Sequence, residues 1–128
     1  MNTLVILAHP DDETLFVGGT MLAAQHRTWQ ILCATYTMSD TRAAEALNAI
    51  AAFQSYGVNV TIKFLGHPDD RFDFTGGIDT QLLEDQISHY SSWAHEIITH
   101  NAAGEDGYYA HQSIHTVVHR VYPQSWNI

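Results

Sequence analysis

The chain predicts an α/β fold: one Rossmann-like domain over residues 1–128, with a mainly parallel sheet sandwiched between layers of helices. Three features of the sequence lead there. Short apolar runs suited to buried strands recur along the chain, stretches of about ten to fifteen residues with helical spacing separate them, and capping or turn residues mark the junctions. Strands joined through helices pair in parallel, and right-handed crossovers then put helices on both faces of the sheet.

Residues 3–8 form the first expected strand, because Leu4, Val5, Ile6 and Leu7 are continuously apolar, as burial on both faces requires, and Pro10 follows. Residues 14–26 read as a helix. Gly18 and Gly19 each cost about 1 kcal/mol in a helix interior, so a close approach of this helix to the sheet is expected there. The second strand is 29–37. Ser39 and Asp40 then stand where they can cap a helix over 41–56 that stops at Gly57, a residue tolerant of left-handed backbone. Residues 58–65 make the third strand, and a polar, Asp-rich loop spans 66–77. Asp79 caps a helix reaching about Ser92, and 96–99 is a short fourth strand. A last amphipathic helix, 111–122, carries His111, His115 and Val118 at helical spacing.

A chain of 128 residues that is 45% hydrophobic can build a core, and with 15% charged residues it does not resemble a disordered segment. The formal net charge is −9, with Arg27, Arg42, Lys63, Arg71 and Arg120 as the five basic residues. That balance disfavours nucleic-acid phosphates and acidic lipid headgroups as partners. Cys33, the single cysteine, lies in the apolar run Ile31-Leu32-Cys33-Ala34 and reads as a core thiol in a reducing compartment. No apolar run approaches the roughly 18–20 residues of a membrane span, and the first residues lack a secretory pattern. A cytoplasmic location is the expectation.

The chemistry concentrates in Ala8-His9-Pro10-Asp11-Asp12-Glu13, where the first strand gives way to a helix. An imidazole and two carboxylates on one turn can ligate a metal and leave a base beside it, with Glu13 and the free Asp available for proton transfer. Ligands of open α/β sheets gather beyond the carboxyl ends of strands, and Thr99-His100-Asn101 sits at the end of the fourth strand. The two loops are expected to face one crevice, with His100 and Asn101 lining it. A plainer account of residues 9–12 is an acidic N-cap near the positive end of a helix dipole, which gives His9 no role. A second HPDD, at 67–70, reads as a structural loop, with Asp69 and Asp70 as lesser candidates for substrate contact. Arg42 and Glu45, one turn apart, suit an exposed ion pair, and Arg42 could instead reach a substrate hydroxyl or phosphate.

The strand followed by AHPDDE, together with RAAE at 42–45, FLGHPD at 64–69, Thr99-His100-Asn101 and GEDGYYAH at 104–111, resembles the LmbE/PIG-L family of zinc-dependent N-acetylglucosaminyl deacetylases over nearly the whole chain. The resemblance implies a metal-dependent hydrolase that removes the N-acetyl group from an N-acetylglucosamine-containing glycoconjugate through zinc-bound hydroxide. It implies zinc held by His9, Asp12 and a later histidine, with Asp11 as general base. An ungapped match of GEDGYYAH makes that histidine His111, which is the expected third ligand, whereas alignment on the apolar pattern that follows would make it His115. Tyr108 stands where the family has an oxyanion-binding histidine, and Ala110 stands at an acidic position. A phenol can donate a hydrogen bond but cannot supply an imidazolium. These departures leave room for a non-catalytic sugar-binding domain of the same fold. The Asp-rich turn leaves room for a magnesium-dependent phosphohydrolase, although two histidines favour zinc. The chain is short for the family, so a homo-oligomer that supplies a pocket wall is a further expectation.

Overall fold

The computed structural model describes residues 1–69 and 77–128, so Asp70 and most of the 66–77 loop lie outside the described residues. In chain order the elements are β1 (Asn2–Leu7), a π-helical turn (Glu13–Val17), α1 (Gly18–Ala23), β2 (Thr28–Thr35), α2 (Thr41–Ser55), β3 (Asn59–His67), α3 (Thr80–Ser91), β4 (Glu96–Thr99), the single turn α4 (Gly104–Gly107), α5 (Tyr109–Val121) and β5 (Trp126–Asn127). The strands form one sheet in the order β3-β2-β1-β4-β5, and every pairing is parallel.

The expected α/β architecture is present, with β5 as an addition. That strand is two exposed residues paired with Ile98 and Thr99, too short to leave a periodic signal in sequence. The helix expected over 14–26 is instead broken, a π-helical turn leading into the short α1. β2 stops at Thr35 because Tyr36 takes a left-handed backbone, φ 66°, which cannot continue a strand. Asp79 caps α3 by accepting from the Leu82 amide at 3.1 Å. Asp40 precedes α2 but does not bond its amides: its carboxylate turns back to the Thr37 amide at 2.7 Å. Gly57, φ 93°, ends that helix as expected.

The period of two along the central strands divides the core. Leu4, Ile6 and Ala8, with Leu32 and Ala34, pack with Leu83 and Ile87 of α3 and with Ile114, Val117 and Val118 of α5. Val5, Leu7, Trp29 and Ile31 pack instead with Val17, Met21, Ile50 and Phe53. Each enclosed side chain of this size contributes about 1.5–3 kcal/mol, which is why β1, apolar on both faces, occupies the centre of the sheet. The close approach expected at the glycine pair is real but falls elsewhere. A Cβ on Gly18 would stand 3.1 Å from Phe53 Cζ of α2, whereas one on Gly19 would meet nothing within 4 Å. Among the described residues, no helix is long and apolar enough to cross a membrane.

Candidate metal centre

Strand order decides where the chemistry gathers. The chain runs outward from β1 to β2 and β3, then returns to place β4 on the other side of β1, so the crevice of this sheet opens between the ends of β1 and β4. The end of β1 is held firmly. The Ala8 carbonyl accepts from the Thr35 amide at 3.1 Å and its hydroxyl at 2.7 Å, and the Ala8 amide donates to His100 Nε2 at 3.0 Å. The chain then turns tightly, the His9 carbonyl accepting from the amides of Asp11 and Asp12 at 2.9 and 3.2 Å. Asp12 Oδ2 folds back onto the His9 amide at 2.9 Å, and no side chain caps the π-helical turn that follows. The acidic N-cap account of this motif is therefore not what the carboxylate does.

His9, Asp12 and His111 converge. His9 Nδ1 lies 3.1 Å from His111 Nε2, and Asp12 Oδ2 lies 3.3 Å from His111 Nε2 and 3.6 Å from His9 Nδ1. The other nitrogen of each imidazole is occupied by a carboxylate: Glu105 Oε2 meets His111 Nδ1 at 2.5 Å, and Asp69 Oδ1 meets His9 Nε2 at 3.3 Å. Histidines that ligate metals are oriented in this manner, the carboxylate fixing the tautomer and raising the basicity of the nitrogen that faces inward. Two imidazoles and one carboxylate match a three-ligand site for a divalent transition metal. Burial opposes charge on Asp12, but its contacts with His100, His111 and His9 outweigh it and hold the carboxyl well below the usual range. Burial would likewise lower the His111 pKa, yet the Asp12 and Glu105 contacts raise it.

The remaining residues singled out in sequence take distinct places. Asp11 is solvent-exposed, with Arg42 Nη2 3.6 Å from its Oδ1. Arg42 also donates to the Tyr36 hydroxyl at 3.2 Å, which donates to Asp69 Oδ2 at 3.1 Å. Tyr108 is 57% exposed, its ring tilted against that of His111 with centroids 5.1 Å apart. His100 is fully enclosed and stacks on His111 at 3.8 Å, so it faces the ligands from behind rather than open space. Burial lowers its pKa, outweighing the Asp12 contact and leaving a neutral ring able to accept from the Ala8 amide. Asn101 exchanges hydrogen bonds with Glu105: its amide donates to Oε1 at 3.1 Å, and its Oδ1 accepts from the Glu105 amide at 3.1 Å. His115 is absent from the convergent group, and its Nδ1 instead donates to the His100 carbonyl at 2.8 Å.

Three residues at this centre carried no assigned role in sequence, or a lesser one: Glu105, Asp69 and Phe16. Glu105 sits in α4 with φ 59°, directly after Gly104 at 68° and two residues before Gly107 at 86°, and left-handed backbone costs a non-glycine residue roughly 1–2 kcal/mol. The paired glycines of GEDG were the available signal. Asp69 arrives from the second HPDD, whose His67 is buried against Gln86 and the Asp79 amide. Phe16, from the π-helical turn, sets its ring edge-on to His100 and His111 at 6.1 and 6.2 Å. Glu13, read as available for proton transfer, is 1% exposed, and neither carboxylate oxygen has a hydrogen-bond partner among the described residues. Burial pushes its pKa up to about 7.

A parallel sheet that presents two imidazoles and a carboxylate at its switch point defines a Rossmann-like protein with a candidate metal centre. The chain belongs to the PIG-L family, whose model, described as GlcNAc-PI de-N-acetylase, matches residues 4–123. Solved structures share the fold. The 4-carboxy-2-hydroxymuconate hydratase GalB from Pseudomonas putida KT2440 is 18% identical, with a TM-score of 0.64 over 94% of this chain and 55% of that one. A deacetylase of teicoplanin biosynthesis, in complex with teicoplanin, is 14% identical, TM-score 0.64, over 97% and 66%. The zinc-inhibited form of teicoplanin deacetylase Orf2 is 15% identical, TM-score 0.61, over 97% and 64%. The chain thus spans between 55% and 66% of the length of these three structures. No curated protein sequence matches it. A hydratase and deacetylases on one fold mean that the site, not the fold, must carry the functional argument.

Proposed function

We propose that this chain is a metal-dependent amide hydrolase that removes the N-acetyl group from an N-acetylglucosamine-containing glycoconjugate. The observation that carries this reading is the convergence of His9 Nδ1, His111 Nε2 and Asp12 Oδ2 beside the exposed carboxylate of Asp11. His9, Asp12 and His111 would hold the ion, and an imidazole-rich set favours zinc over magnesium. A zinc ion, when bound, polarises a carbonyl and lowers the pKa of water at its open position toward about 7. The zinc-inhibited neighbour supports zinc as an ion that this fold admits.

The other roles belong to the protein. The Asp11 carboxylate accepts a proton from the attacking water and returns it to the departing amine nitrogen, so the amide C–N bond breaks with acetate and a free amine as products. Arg42 restrains Asp11 from the rim and, with Asp69, offers a donor and an acceptor to sugar hydroxyls. The Tyr108 phenol, standing free beside the His111 ring, donates to the oxygen on which negative charge develops. His100 and Asn101 act from behind, one stacked on His111 and the other holding Glu105.

Zinc-loaded protein is expected to release acetate from a panel of N-acetylglucosamine conjugates, and Asp11→Asn to lower the rate by about 10²–10⁴-fold while zinc stoichiometry stays at the wild-type value. Absence of acetate release across the panel by metal-replete protein would sink the reading. Tyr108, in place of an imidazole donor, favours a second one: a sugar-binding domain without turnover. Saturable glycan binding with no acetate release would select it.

A further inference from the structure

Outside the centre just described, a second pair of neighbouring histidines stands among the described residues. His115 and His119 lie one turn apart on α5, half-buried, with ring centroids 4.1 Å apart and planes at 43°. His9 and His111 have nearly the same relation, 5.1 Å and 42°. Side chains four residues apart share a helix face, which is why paired histidines at this spacing can chelate one ion.

The hydrogen bonds decide which nitrogens are available. His115 Nδ1 is 2.8 Å from the His100 carbonyl oxygen, which can only accept, so the proton is on Nδ1 and the lone pair on Nε2. His119 Nε2 is 2.7 Å from Asn127 Oδ1, again an acceptor, so its proton is on Nε2 and its lone pair on Nδ1. Ser125 Oγ is the hydroxyl beside that ring, 3.2 Å from both nitrogens. Each imidazole is thus oriented by an oxygen behind it, and in the neutral ring that ligation requires, the lone pair is on Nε2 of His115 and on Nδ1 of His119, where the Ser125 hydroxyl 3.2 Å away is the group an ion would displace. This repeats the plan of the first centre with neutral oxygens replacing the carboxylates of Asp69 and Glu105. Neutral acceptors raise imidazole basicity less, so affinity here falls below that of the first centre.

We propose that His115 Nε2 and His119 Nδ1 form a second site, between α5 and β5, for one late divalent transition-metal ion such as Zn²⁺ or Cu²⁺, completed by water. The ligand type selects these ions over Mg²⁺ and Ca²⁺, which take oxygen donors.

Equilibrium dialysis of the full chain against Zn²⁺, carried to millimolar concentration, tests it. Wild type is expected to take up two ions with separable affinities. His119→Gln, whose amide can still reach Asn127 Oδ1, is expected to weaken the lower-affinity step at least tenfold and leave the higher-affinity step unchanged. His111→Ala is expected to do the reverse, so failure of the first centre and failure of the second give different patterns. Cu²⁺ added to protein already holding one Zn²⁺ should show two nitrogen ligands by electron paramagnetic resonance. Uptake of a single Zn²⁺ that His111→Ala abolishes and His119→Gln leaves intact, an unchanged second step in His119→Gln, or a one-nitrogen copper spectrum would overturn the proposal.

Discussion

Glu105 bears the most on how the candidate centre is held together, and Glu105→Gln is the change that isolates its part. Its Oε2 is 2.5 Å from His111 Nδ1 and 3.0 Å from His100 Nδ1, while Oε1 accepts from the Asn101 amide at 3.1 Å. Glutamine keeps the shape but has one carbonyl oxygen, so either the Asn101 amide or His111 Nδ1 loses its acceptor. The side chain is only 12% exposed, and water does not readily replace that bond. Loss of a carboxylate behind a metal-ligating histidine weakens metal binding about 10–100-fold, or roughly 1.4–2.7 kcal/mol. Competition with a chromophoric chelator measures the zinc dissociation constant, and melting of the metal-free protein measures stability. Glu105→Gly separates the two. Glycine adopts φ 59° without the cost of roughly 1–2 kcal/mol borne by glutamate, so it is expected to melt no lower than Glu105→Gln while binding zinc as weakly. A Glu105→Gln protein whose zinc affinity stays within twofold of wild type would refute the reasoning, because the carboxylate would then not be orienting His111.

Two further predictions concern the frame around the centre. Gly19→Ala is expected to stabilise the protein by about 0.5–1 kcal/mol, a rise of roughly 2–5 °C in melting temperature, since the new methyl meets nothing and the unfolded chain loses freedom. Gly18→Ala gains less, because its methyl must fit beside Phe53; thermal melts that rank the two the other way contradict the packing. Burial pushes the Cys33 thiol up from its ordinary value, so the unfolded chain, with an ordinary thiol near 8.5, ionises first. Its contribution to stability is intact below about pH 8.5 and falls as pH rises beyond, by at most about 1.4 kcal/mol per pH unit. Denaturant titrations from pH 7 to 10 should show that loss in wild type and its removal in Cys33→Ala, and a thiol reagent should label Cys33 only after unfolding.

What was legible in the sequence was what depends on neighbours along the chain. Apolar runs marked the first four strands, and Asp79 and Gly57 marked helix ends, because capping and left-handed backbone are local. The bringing together of His9 and Asp12 was local as well, a turn closed by the His9 amide and the Asp12 carboxylate. The groups behind the ligands were not. Asp69 reaches His9 across sixty positions, and Glu105 reaches His111 only because α4 adopts a backbone that no propensity scale anticipates. The ungapped motif match already favoured His111 over His115, although both ride the same helix face, and what the sequence did not show was the different surroundings of the two rings. Those surroundings come from the end of β4, where the ring of His100 stacks on His111 and its carbonyl engages His115.

The two HPDD copies show why motif letters underdetermine a site even when both follow a parallel strand. In the first, Asp12 turns back to the His9 amide and His9 faces His111. In the second, His67 is drawn inward by Gln86 and the Asp79 amide, and its neighbour Asp69 carries the contact with the centre. The difference is position in the sheet. β1 borders the crevice opened by the return of the chain to β4, so a histidine just beyond its end meets the loops of β4 and α5. β3 is the outermost strand on the opposite side, where the His67 ring at its end meets Gln86 of α3 and the Asp79 amide, and a longer reach from Asp69 is needed to touch His9. Strand order therefore separates the two copies: His9 and Asp12 join the candidate centre at the switch point, whereas His67 is a buried anchor and Asp69 an outlying carboxylate at the edge.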